Sequence, residues 1–214
     1  MGWKLAVVIS KLERRTLGAF VDEVYGAPQT LMPSDVAVDR ALYPPKLGHR
    51  YALAHDGFGW IVDWKLIDRT FKKPLPVKTP VWTFGLHSVV NWYGFSAQNN
   101  GAFLRSRSGE ADNGIVVDIG TPSATERALV AACGKPGQEA LAWDTWCDAQ
   151  KSFDGVYEHT THDSIGEEVV FGLLNEVVGF GLDIDSPALD AFLTAGVMTI
   201  ERAKGKSIFS WLSR

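Results

Sequence analysis

The chain has almost no cysteine. Cys133 and Cys147 are its only two, too few for the disulfide framework of a secreted domain, and they read as reduced thiols in a reducing compartment. It also lacks a basic excess. Its 21 Lys and Arg against 25 Asp and Glu leave a formal net charge of −4. A general nucleic-acid binder needs clustered cations to displace counterions, so no nucleic-acid partner is expected. Arg14-Arg15 and Lys72-Lys73 are short basic spots of solvated surface. Long apolar runs are missing as well. Nothing approaches the roughly 18–20 residues of a membrane span, and no membrane partner is expected. The first apolar run, Leu5 to Ile9, is too short for a signal-peptide core and is followed by Lys11, Glu13, Arg14 and Arg15. Ala6 breaks the myristoylation pattern. The expected location is cytoplasmic. Phosphate-loop and dinucleotide glycine fingerprints are absent, and no cofactor is expected.

What is present is an ordinary globular composition: 46% hydrophobic, 21% charged, over 214 residues. That suffices for a core without metal or disulfide staples. The expectation is one domain over residues 1–214. Leu5 to Ile9 reads as a core strand, and residues 11–25 as an amphipathic helix stopping at Gly26-Ala27-Pro28. Residues 27–48, with four prolines, read mostly as loop. Tyr51 to His55 and Phe58 to Lys65 flank Asp56-Gly57, a hairpin signal. Trp60 and Trp64 then share one strand face.

The densest β-signal follows, in Val81 to Leu86 and Val89 to Ala97. The chain turns at Asn99-Asn100-Gly101 and returns as Ala102 to Arg107, which alternates Phe103, Arg105, Arg107 with Ala102, Leu104, Ser106. Gly109 to Gly114 is a polar loop and Ile115 to Ile119 a short strand.

After Gly120 the pattern turns helical. Candidates are residues 123–133, opened by Ser123-x-x-Glu126, and 138–151. Phe153 to Asp163 is irregular. Ser164-x-x-Glu167 opens the clearest helix, with Val169, Val170, Leu173, Leu174, Val177 and Val178 as its stripe and Gly179 as its stop. Ser186-Pro187 begins a last helix reaching Lys204. A tail with Ile208, Phe209, Trp211 and Leu212 is expected to dock on the body, since an unburied tail of this kind is a sticky patch. Strands early and helices late predict an α+β fold, a mainly antiparallel sheet covered by C-terminal helices.

Several pieces carry a resemblance. They are Met1-Gly2-x-Lys4 and the strand after it, then Leu86-His87-Ser88-Val89-Val90-Asn91-Trp92, then Leu104-Arg105-Ser106-x-Ser108. Gly114-Ile115-Val116-x-Asp118-Ile119-Gly120-x-Pro122 and Gly166-Glu167-Glu168 complete the set. In this order the chain resembles an uncharacterised, actinobacterial-type bacterial family, a domain of unknown function, which more often has Asp where Asn91 stands. The resemblance implies a common fold and supplies no activity.

Two clusters are candidates for chemistry. If the hairpin turns at Asn99–Gly101, residues near 92–97 pair with 103–108. His87, Arg105, Ser106, Ser108, Asp112 and Asp118 then converge at a strand-end rim. Arg105 would hold an anionic group and His87 would move a proton, as in a small hydrolase or anion-binding enzyme. No Gly-x-Ser-x-Gly elbow supports a strained nucleophile there, and a satisfied histidine beside a polar sheet face explains the same residues. His159-x-x-His162 beside Asp163, Glu167 and Glu168 is a weak metal candidate, with loop histidines and a helix cap as the alternative. Val116 to Thr121 echoes an actin-type phosphate loop, without a second copy. Most of the eight tryptophans read as core, and any excess would suit a protein-binding face. With no complete catalytic signature, the favoured expectation is a non-catalytic binding protein of the protein-partner or immunity type, and the alternative is the rim enzyme.

Overall fold

The computed structural model describes residues 4–43, 48–155, 159–182 and 186–203. The expected docking of the tail falls on residues 204–214, outside the described residues. Among the described residues nine strands form one sheet: β1 Lys4–Lys11, β2 Gln29–Pro33, β3 Tyr51–His55, β4 Phe58–Val62, β5 Val81–His87, β6 Trp92–Asn99, β7 Ala102–Glu110, β8 Gly114–Gly120 and β9 Val197–Arg202. The helices are α1 Leu17–Tyr25, α2 Val38–Leu42, α3 Trp64–Thr70, α4 Ala124–Ala132, α5 Glu139–Cys147, α6 His162–Val178 and α7 Pro187–Leu193. The sheet order is β2-β9-β3-β4-β1-β5-β6-β7-β8, and every pairing is antiparallel. The protein is α+β with a mainly antiparallel sheet.

The central strand explains the layering. In β1, Leu5, Val7 and Ile9 enter one core with α2 and α4 to α7, while Ala6 and Val8 enter a second core with α1 and α3. A strand covered on both faces has no polar side to show, hence its unbroken apolar run. Two hairpin turns obey backbone chemistry, with Asp56 (φ 45°) and Gly57 (φ 75°) making the β3–β4 turn. Asn100 (φ 51°) and Gly101 (φ 71°) make the β6–β7 turn in the left-handed region that these residues tolerate.

Six local expectations differ from the structure. Val89 and Val90 fall in a 3-10 turn, Ser88–Val90, and the strand expected from Val89 begins at Trp92. The first helix begins at Leu17, capped by Thr16, because residues 12–15 form the turn leaving β1. Residues 27–48 hold β2 and α2; Thr30-Leu31-Met32 pairs with β9 before Pro33 ends the edge strand. Trp64 opens a helix and does not continue β4. Asp63 caps α3 by accepting from Lys65 N at 2.9 Å and Leu66 N at 3.3 Å, and Tyr25 donates to its other oxygen at 2.8 Å. The box of α6 lies one turn earlier than Ser164-x-x-Glu167: Thr161 is the N-cap and its N–H donates to Ser164 Oγ at 2.9 Å. The last helix stops at Leu193, and Val197, Thr199 and Ile200 then supply a β-branched strand inserted between β2 and β3.

Candidate functional site

The far end of the sheet, β5 to β8, holds every residue of the expected rim. Register decides how they group. Arg107 pairs with Asp118, Ser106 with Ile119, Ser108 with Val117 and Gly94, and His87 with Trp92. Successive side chains point to opposite faces. Arg105 and Asp118 therefore lie on the face under α4 and α5, and Ser106 and Ser108 lie on the other. Ser106 Oγ is already used, donating to Phe71 O at 2.8 Å. Asp112 sits exposed in the β7–β8 turn. The rim does not assemble as one constellation.

On the helix face the charged groups bind each other. Arg105 Nε and Nη2 donate to the two oxygens of Glu126 at 2.8 and 2.7 Å, and Nη1 donates to Asp118, to Ile119 O at 3.1 Å and to Gly120 O at 3.3 Å. Arg107 donates to the other Asp118 oxygen and to Trp146 O, with its guanidinium 3.9 Å from the Trp146 ring centre. Trp146 Nε1 donates to Glu126 at 3.1 Å. Burial alone would lower the Arg105 pKa, but the hydrogen bonds it donates to Glu126 and Asp118 outweigh it and raise it. Two arginines and two carboxylates cancel, which is how these charges tolerate burial. Glu126 and Trp146, the partners that complete the network, were not among the sequence candidates. In the sequence Ser123-x-x-Glu126 signals only a cap; Ser123 Oγ does accept from Glu126 N at 3.0 Å, yet the Glu126 side chain points inward and is fully buried. Alternating Arg105 and Arg107 beside a buried-strand pattern was the available signal. Beside this network, a cavity of about 370 Å³ opens between β5, β6 and α6.

On the opposite face His87 and Ser108 line a hollow of about 290 Å³ with Trp64, Phe71, Trp92 and Glu110. Two glycines seat its rings. A Cβ on Gly85 would lie 2.5 Å from Trp92, and one on Gly94 2.6 Å from Phe71. Trp64 packs on His87 at 5.9 Å between ring centres and on Trp92 at 6.4 Å. Burial, then the Lys4 charge, hold His87 below its ordinary pKa. Its Nδ1 is buried without a hydrogen-bond partner among the described residues.

Around the hollow the sheet is uncovered. Val89 (66% exposed), Val90 (58%), Leu104 (62%), Val116 (42%) and Ile119 (40%) face solvent. Arg105 and Arg107, by contrast, are 6% and 1% exposed. The alternation along β7 is thus inverted, with Arg105 and Arg107 inside and Leu104 outside, and β8 beside it exposes Val116 and Ile119.

His162 does not join His159. It opens α6 fully buried against Tyr93, ring centres 5.9 Å apart, while His159 is exposed in a left-handed turn. Among the described residues no cluster of three or more His, Cys, Asp and Glu side chains could hold a metal ion, and no helix is long and apolar enough to cross a membrane.

The class is therefore an α+β protein whose mainly antiparallel sheet carries helices on both faces and is left bare at one end. The chain belongs to a family of unknown function (DUF6928), whose model matches residues 11–144 and so spans the bare end, from β5 through β8. No curated protein and no solved structure matches the chain.

Proposed function

We propose that this is a non-catalytic binding protein that holds a protein partner against the bare face of β7 and β8. One observation carries the reading: the apolar outer face of Leu104, Val116 and Ile119 beside an aromatic hollow, next to arginines that are turned inward. Exposed apolar patches rimmed by polar groups mark interaction sites, and aromatic-walled pockets receive anchor side chains. Glu110 and Asp112 border the face, which fits an apolar anchor flanked by basic residues. To test it, a photo-reactive side chain replaces Val116 in the native cells, with Leu141 on α5 as the control position. The cross-linked protein is purified, and its Kd is compared for the wild type and the Val116→Lys, Ile119→Lys double variant. A Val116-specific partner whose affinity drops about 30-fold or more, a loss of ~2 kcal/mol typical of a hot spot, supports the reading. A Val116 product matching that from Leu141, or unchanged affinity, contradicts it.

The alternative, a small hydrolase, keeps one supporting observation: His87, Ser108 and Glu110 line the same hollow. Against it, no hydrogen bond links His87 to Ser108 among the described residues, and Arg105 is held by the chain's own carboxylates. Ester hydrolysis abolished by Ser108→Ala would favour it over binding.

A further inference from the structure

The cavity on the helix face has a character unlike the hollow. Its walls are Phe84 and Phe95 from the sheet and Leu173 and Val177 from α6, and its inner end is the Arg105–Glu126 pair. We infer that it is a binding site for an uncharged, flat, apolar small molecule carrying one carbonyl-type oxygen. This inference stands on the opposite face of the sheet and is independent of the protein-partner reading.

Four features define the ligand. At about 370 Å³ the space lies within the range of small-molecule sites, ~300–1,000 Å³. The aromatic and aliphatic walls favour a flat apolar body. Arg105 supplies the polar contact. Among the described residues its Nη2 makes one hydrogen bond, to Glu126 Oε1, and a guanidinium Nη carries a second hydrogen. Arg105 is 6% exposed and lines the cavity, so that hydrogen is a donor with little access to water. Charge balance sets the last feature. Arg105 and Arg107 are already matched by Asp118 and Glu126, so a charged ligand would leave an uncompensated charge beside the network. The exposed pair at the cavity's lining, Lys11 and Glu176, is also opposite in sign.

The probes are 2-acetylnaphthalene and its near-isostere of opposite class, 2-naphthoate. The ketone should bind one per chain, and its carbonyl stretching band should move to lower wavenumber on binding, the signature of a hydrogen bond from Arg105. The carboxylate should bind at least tenfold more weakly. Leu173→Trp, or Val177→Phe where the first variant does not fold, should fill the space and weaken the ketone at least tenfold. Val90→Trp, at the other hollow, should leave its affinity unchanged. Absence of saturable ketone binding, tighter binding of the carboxylate, an unshifted carbonyl band or indifference to both cavity-filling variants overturns the assignment.

Discussion

β1 and β7 are both largely buried strands, and they tolerate burial by different chemistry. β1 presents apolar side chains to helices on both of its faces. β7 sends Arg105 and Arg107 under the helices, where carboxylates and the Trp146 carbonyl accept from them, and leaves Leu104 in water. A hydrophobic strand needs only volume filled. A charged buried strand needs each partner present, and it is fragile to the loss of any one. β1 is thus a strand held by apolar packing, and β7 one in which buried charge and exposed apolar side chains have exchanged sides.

The sharpest way to break the comparison is to orphan one charge. Glu126→Ala leaves Arg105 without its bidentate partner, and urea unfolding should show a loss of about 3–5 kcal/mol. The double variant Arg105→Met, Glu126→Leu should recover most of that loss, because apolar pairs of similar size replace buried ion pairs at little cost. In β1, Ile9→Ala should cost about 2–5 kcal/mol through its cavity alone, with no partner change able to restore it. Gly94→Ala should come next, about 1–3 kcal/mol, as its Cβ drives into Phe71. Replacing Ile119 by Lys should change stability within about 0.5 kcal/mol, since its side chain is already in water.

The pH dependence follows from two histidines. Burial lowers the pKa of His162, against the pull of Asp163, and burial and then Lys4 lower that of His87. Both are neutral in the fold at pH values where the unfolded chain begins to bind protons. The stability they permit is intact above their ordinary pKa of 6.5 and declines as pH falls from there toward their folded values. Unfolding curves between pH 7 and 5 should fall less steeply for His162→Gln than for the wild type.

The strands were readable because their signals are local. Asp56-Gly57 and Asn100-Gly101 fix two turns, and β-branched and aromatic residues mark the strands between them. β9 was missed because Val197 to Arg202 follows a helical stretch, and only pairing with β2 and β3 selects the strand. The candidate site was half legible. Its residues were named correctly as neighbours in sequence, but alternation places them on opposite faces, and a face's coverage is a tertiary fact. Arg105 looked like an anion holder because Glu126, 21 positions later, gave no sign in sequence of turning inward. The glycines that seat Phe71 and Trp92 carried a visible signal, two glycines inside strand-like runs.

The most direct measurement is thiol labelling at position 119. In a Cys147→Ser background, Ile119→Cys is labelled with maleimide in the purified protein and inside the native cells, with Cys133 buried in both. The account predicts rapid labelling when purified and at least tenfold protection in cells, where a partner covers the face. Equal rates in the two settings would contradict it.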